Sequence, residues 1–321
     1  MIAEMIGKIL SGGEITPAEA IALGELTGQD LSELLWVAQQ VSRHFHGNKV
    51  DLCSIINAKS GHCSEDCTFC AQSSHYRTGA PIYPLLSVEE ILERAKVMES
   101  KGARRFSLVT SGRGIPGEDF DKIIDIYQTL REKTGLGLCA SLGIIDHKKA
   151  LRLREAGVSM YHHNIETSKS FYPEICGTHS FEERVETINS VREAGLTVCS
   201  GGIIGLGERW EHRVEMAFQL KEMGISSVPL NLLTPIEGTP LRGRPMPAPL
   251  EALKTTALFR LVLPGAVLRL AGGRESALRD LQSVALMSGV NGLMVGNYLT
   301  TGGRQVEDDL KMLEDLGLEV M

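Results

Sequence analysis

The chain has 321 residues, 43% hydrophobic and 23% charged, with a formal net charge of -7 and a pI near 5.8. That length and apolar content suit one α/β barrel or two smaller domains. The acidic balance argues against nucleic acid as principal partner, because phosphate binding needs clustered Lys and Arg. Glu4 and Lys8 interrupt the apolar residues at the start, and no later segment approaches about 18 uninterrupted apolar residues. The expectation is a soluble cytoplasmic protein, without membrane, acting on a small molecule.

Thr16, Pro17 and Glu19 supply an N-cap, a helix-compatible proline and a capping-box acid, and Asp30 with Glu33 repeats the cap-and-acid pattern. Residues 1–50 therefore read as an N-terminal helical extension. From residue 51, apolar runs predict strands at 51–58, 104–111, 136–141, 158–165, 196–203, 225–231, 266–270 and 292–295, each followed by a helical pattern. Alternation of this kind needs right-handed crossovers and a parallel sheet. Eight such units over 51–321 predict a closed (β/α)8 TIM-type barrel. Pro240, Pro245, Pro247 and Pro249 read as a loop before a helix.

Seven cysteines, an odd number without an export signal, favour metal or redox chemistry over a disulfide framework. Cys63, Cys67 and Cys70 lie in GHCSEDCTFCAQSS, just after the first predicted strand and so at the catalytic rim of a barrel. Three soft thiolates so close together favour an iron-sulfur cluster or zinc. Zinc wants four closed ligands, for which His62 or His75 is available. A cubane held by three cysteines instead leaves one iron open to a cofactor.

C-x3-C-x2-C with Phe69 before the last cysteine resembles the radical S-adenosylmethionine (SAM) signature. GGIIGLGE at 201–208 is similar to that superfamily's adenine-side motif, with Gly201, Ile203, Gly205 and Glu208 in matching places. On its own this stretch also reads as a buried strand ending in a tight turn.

Strand parity gives an independent view of the interior, because alternate residues face opposite sides. His162, Asn164 and Glu166 share a face, as do Gly137, Cys139 and Ser141, and Thr197, Cys199 and Gly201; Arg269 is the one charge between Leu268 and Leu270. A charge there needs a partner. An inward cysteine alone is more often a small core residue than a ligand.

Together with CAQSSHYRTG (70–79), YHHNIETS (161–168), VCSGGIIGLGE (198–208), PLNLLTPIEGTPL (229–241), RLAGGRE (269–275) and GNYLTTGG (296–303), these features resemble the biotin synthases. The resemblance covers about residues 50 to 320. It implies a sulfurtransferase that converts dethiobiotin to biotin by radical SAM chemistry. It further implies a 4Fe-4S cluster on Cys63, Cys67 and Cys70, and SAM contacts from Asn164, Glu166 and Arg184. An auxiliary cluster, 2Fe-2S in most of the family, would sit on Cys139, Cys199 and Arg269, with dethiobiotin beside His162, Asn231 and Thr300 or Thr301. A flavodoxin- or ferredoxin-type electron donor and a homodimer are also implied. The rivals are another radical SAM barrel enzyme, such as a maturase or mutase, and a non-enzymatic iron-sulfur electron carrier.

Two departures stand out. His162 replaces the family's usual asparagine, and RRFSLVTSGRG offers Ser107 where a third auxiliary-cluster cysteine is usual. Cys53, on the first strand, is expected to take that ligand's place, since neighbouring strands lie only about 4.8 Å apart. The rearranged set then admits a second 4Fe-4S cluster. Parity groups Cys53 with Ile55 and Asn57 but leaves open which face is inner. Cys176, in YPEICGTHS, reads as a free thiol.

Overall fold

The computed structural model describes residues 2–297, 299 and 302–321. Strands β1 (Lys49–Lys59), β2 (Arg105–Thr110), β3 (Gly137–Ser141), β4 (Val158–His162), β5 (Thr197–Cys199), β6 (Gly202–Ile204), β7 (Ser227–Leu232), β8 (Val267–Leu270) and β9 (Gly292–Val295) pair in parallel around a ring that β1 closes by pairing with β9. β5 and β6 share the one place between β4 and β7, so the wall has eight positions. This is the expected TIM-type barrel. A short β10 (Glu319–Val320) pairs with the start of β1.

Two strands depart most from their predicted bounds. β4 stops at His162 rather than continuing to 165, and 196–203 is broken at Ser200 and Gly201. Contact between backbones explains both. A Cβ at Gly201 would collide with the Pro229 carbonyl, and one at Gly202 with the Glu166 carbonyl. Glycine admits the loop after β4 against the wall, where Glu166, at φ 66°, accepts from Ile203 N–H at 2.8 Å and donates its own N–H to the Gly201 carbonyl at 3.1 Å.

The outer ring comprises α4 (Val88–Ser100), α5 (Gly117–Lys133), α6 (His147–Glu155), α7 (Phe181–Glu193), α8 (Trp210–Glu222) and α9 (Pro249–Val262), followed by short α10 (Arg274–Leu278) and α11 (Gln282–Leu286), then α12 (Val306–Asp315). Ahead of the barrel run α1 (Ile2–Leu10), α2 (Pro17–Ala22) and α3 (Gly28–His46). The Thr16–Glu19 capping box opens α2 as expected. α3, however, begins at Gly28 behind Thr27, which leaves Asp30 inside the first turn, where its charge complements the helix dipole instead of capping.

These N-terminal helices are fastened to the ring. Trp210 Nε1 donates to Ala20 O at 3.1 Å, Lys254 donates to Gly24 O, and the Lys254 ammonium stands 5.4 Å from the Trp210 ring centre. Leu34, Val37, Ala38 and Val41 of α3 are fully buried. Among the described residues, no helix is long and apolar enough to cross a membrane.

His163, just past β4, is 5% exposed, and burial holds its imidazole well below its ordinary pKa, with the Arg184 charge adding to the effect. The unfolded chain binds this proton near pH 6.5 while the folded chain does not, so stability falls as pH drops below about 6.5. One such proton amounts to about 1.4 kcal/mol per pH unit. His163→Gln is therefore expected to lose about 1 kcal/mol less than the parent chain between pH 6.5 and 5.5 in urea unfolding of cluster-free protein. Equal losses would mean that His163 titrates normally.

Candidate active site

β1 delivers the chain to the rim, and the cysteine-rich loop there is tied to its own backbone. Gln72 Oε1 accepts from Ser60 Oγ at 3.0 Å and Gly61 N–H at 3.2 Å, Ser73 Oγ donates to Glu65 O at 2.6 Å, and Thr78 Oγ1 donates to Ala71 O at 2.6 Å. These ties turn Cys63, Cys67 and Cys70 into one cavity of about 240 Å³, shared with Asn164, Glu166 and Arg184. Burial raises the Cys63 thiol, and it pushes Cys70 up to about 11, reinforced by the charges of Cys63 and Glu166. Three thiolates here repel one another unless a cation is shared, which is the donor set a cluster with one open iron requires.

The opposite wall of the cavity carries paired charges. Arg184 spends Nε on Tyr172 Oη at 2.6 Å and Nη1 on Asn164 O at 2.9 Å, and lies 3.6 Å from Glu166. Burial raises the Glu166 carboxyl despite that guanidinium. Asn164 Oδ1 accepts from Gly201 N–H at 3.2 Å. Glu208 builds the neighbouring turn, accepting from Gly205 N–H at 2.9 Å, Gly207 N–H at 3.0 Å and Arg213 Nε at 2.7 Å. Gly205 is at φ 100°, and Ile203 pairs with Asn231 in the β6–β7 register.

A second group lies deeper. Arg269 pairs with Asp51 and also donates to Ser227 Oγ at 3.3 Å and Cys199 Sγ at 3.7 Å. This makes the face of Asp51, Cys53, Ile55 and Asn57 the inner one. Burial would raise Asp51, but Arg269 and Arg105, the latter 3.0 Å away, keep it low. Cys53 and Cys139 are both fully buried, and Cys139, Cys199 and Met160 form an apolar cluster separate from the main core. Ser107 Oγ, Arg269 Nε and His162 Nε2 are all buried without a hydrogen-bond partner. Such orphans are costly, and together they mark a space suited to a polar inorganic group.

His162 lines the rim cavity and also feels the charges of Arg269 and Arg105 below it; burial first, then those charges, lowers its imidazole to about 3, so it is neutral. Asn231 bridges Gly202 O at 3.3 Å and Gly272 N–H at 2.9 Å. Thr300 and Thr301 lie outside the described residues; Leu299 O accepts from Asn57 Nδ2 at 3.2 Å.

Residues 59–220 match the radical SAM superfamily and residues 229–319 the Biotin and Thiamin Synthesis associated domain. A biotin synthase of Pelotomaculum thermopropionicum is 70% identical over 321 residues, 100% of both chains. The chain belongs to the biotin synthase family. A biotin synthase of Heliobacterium modesticaldum is 52% identical, covering 100% of this chain and 98% of that one. Among solved structures, methylornithine synthase matches with a TM-score of 0.87 at 23% identity, covering 99% of this chain and 97% of that one. An FeFe-hydrogenase maturase from Carboxydothermus hydrogenoformans matches at 0.84 and 19%, covering 99% and 79%. At those identities the likeness is one of fold, so the maturase match does not compete with the biotin synthase assignment, and membership of an enzyme family removes the electron-carrier reading.

Sequence reasoning missed three features of this biotin synthase fold. Asp51 and Arg105 join Arg269 in the interior, and Asp51 shares the parity of Cys53 in DLC, a signal that was there to use. Cys176, a free thiol as expected, is not isolated: its sulfur lies 3.8 Å from Cys67 Sγ and 3.0 Å from His179 Nδ1. The C-x2-H spacing of Cys176 and His179 was the available sign.

Proposed function

We propose that this chain is a cytoplasmic, homodimeric enzyme that converts dethiobiotin to biotin, with Cys63, Cys67 and Cys70 holding a 4Fe-4S cluster at the rim and Cys53, Cys139, Cys199 and Arg269 surrounding an auxiliary cluster in the interior. The observation that carries the reading is the presence of two three-thiol groups in one barrel, Cys63, Cys67 and Cys70 lining the rim cavity together with His162, and Cys53, Cys139 and Cys199 fully buried in the interior beside Arg269. When bound, the rim cluster with SAM supplies a substrate radical and the interior cluster supplies sulfur, whether it is 2Fe-2S or a second 4Fe-4S.

The chain's own part is to hold, orient and dry the reactants. Glu166 and Arg184 present opposite charges to the rim cavity, which suits the ammonium and carboxylate of SAM's amino-acid end. Asn164 and the glycine backbone of 201–205 with Glu208 shape the side where adenine would lie. Neutral His162, one ring nitrogen buried and unpaired, and Asn231 offer hydrogen bonds to the ureido group of dethiobiotin, with Thr300 and Thr301 assigned to its carboxylate end. Residues 1–50 and 51–321 act as extension and catalytic domain of one unit, and a flavodoxin- or ferredoxin-type protein delivers electrons.

Asn231→Ala tests the pocket. Loss of a buried hydrogen-bonding side chain costs about 1–3 kcal/mol, so dethiobiotin affinity of the SAM-loaded enzyme is expected to fall about tenfold or more, read by calorimetry alongside biotin yield. Unchanged affinity and yield would place the substrate elsewhere.

A further inference from the structure

Cys176 is a buried thiol to which the proposed reaction gives no task. Its loop folds onto the cysteine-rich loop: Gly177 and Thr178 N–H donate to Asp66 Oδ1 at 2.9 and 3.1 Å, and Thr68 N–H donates to Ile175 O at 2.9 Å. This sets Cys176 Sγ 3.8 Å from Cys67 Sγ and 3.0 Å from His179 Nδ1.

The neighbours determine which way these hydrogen bonds run. Arg184 Nη2 lies 2.9 Å from His179 Nε2, and a guanidinium can only donate. His179 Nε2 is therefore an acceptor and the ring proton sits on Nδ1, where Glu65 Oε2, at 2.7 Å, and Cys176 Sγ share it. Asp66 Oδ1, 3.3 Å from Cys176, has both lone pairs engaged by Gly177 and Thr178 N–H. Thr178 Oγ1, 3.6 Å from Cys176, already accepts from Asp66 N–H at 3.2 Å, so the least engaged acceptor within reach of the Cys176 S–H is the Cys67 sulfur. A cysteine bound to iron has given up its proton, so the contact between the two sulfurs then runs in one direction, from Cys176 to Cys67.

We propose that Cys176 is a positioning residue of the rim cluster: its thiol, oriented by His179, donates a hydrogen bond to the Cys67 sulfur and raises the reduction potential of the iron-sulfur centre held there. This rests on the reading that Cys67 is a ligand of that centre. A donor to a cluster sulfur withdraws charge from the thiolate and favours the more negative, reduced state, one of the levers that set iron-sulfur potentials. The path runs Arg184, His179, Cys176, Cys67, so the arginine assigned to SAM and the cluster ligand are its two ends.

The test is an electron paramagnetic resonance redox titration of anaerobically reconstituted protein, following the reduced-cluster signal that changes when SAM is added. Cys176→Ala is expected to keep its iron but move the one-electron equilibrium about tenfold toward the oxidised form, which corresponds to about 59 mV. Cys176→Ser, whose hydroxyl donates from the same place, recovers most of the shift. An unchanged or higher midpoint in Cys176→Ala overturns the proposal. If Cys176→Ala loads less iron than the parent, Cys176→Val, which fills the thiol's space without donating, replaces it with the same two outcomes. Failure of the underlying reading looks different: Cys67→Ala would then retain the SAM-sensitive signal.

Discussion

Cys67→Ala is expected to abolish formation of 5'-deoxyadenosine from SAM under reducing conditions. Three thiols converge on one cavity, and removing the middle one leaves two ligands for a centre that needs three plus an open position. Outer-shell partners of a metal site alone are worth about 10- to 100-fold, so loss of a direct ligand exceeds that range. Chromatography of the nucleoside product, paired with an anaerobic iron and sulfide count, makes the measurement. Undiminished cleavage in this variant, or one zinc per chain in anaerobically prepared parent protein, would remove Cys67 from the role proposed for it.

Cys53→Ala has the second large effect, and its signature is a split between two activities. The parent thiol is fully buried and faces inward beside Asp51, whereas Ser107, in register with Cys139, is buried with its hydroxyl unpartnered. A cysteine is the far better iron ligand of the two. The variant is expected to lose the auxiliary cluster's iron and at least about 100-fold in biotin formation while still cleaving SAM at Cys63, Cys67 and Cys70. Ser107→Ala is expected to retain both. A Cys53→Ala protein with full iron and normal biotin yield would return the ligand role to Ser107.

The barrel was legible because strands buried on both faces read as apolar runs separated by amphipathic helices. It was least legible between β4 and β7, where the break depends on which carbonyl meets Gly201 and Gly202, and periodicity carries no record of that contact. At the site, the rim triad was plain because its three cysteines are neighbours in the chain. The inner face of β1 was not, since parity groups residues without naming the side; the Asp51–Arg269 pair settles it. Cys176 was hidden for another reason. It is 109 positions from Cys67, and only the fold of the loop after β4 brings the two sulfurs together.

β1 carries Cys53 within the barrel and then, without leaving the chain, leads into the loop of Cys63. Over Cys53 and Ser54 both its edges are hydrogen-bonded, to β2 and β9, and β2 continues to pair with it in regular register as far as Asn57, with a one-residue register shift between Asn57 and Lys59. Each residue advances it about 3.3 Å and turns the side chain to the other face. Deleting one residue between positions 53 and 57 would point Cys53 outward, and deleting two would shorten the gap by about 6.6 Å while keeping the facing. The strand thus acts as a ruler with coarse graduations. A descendant of this chain that handled a longer or shorter molecule would more readily change side chains inside the gap, because between Cys53 and Asn57 the gap can be altered only in two-residue steps.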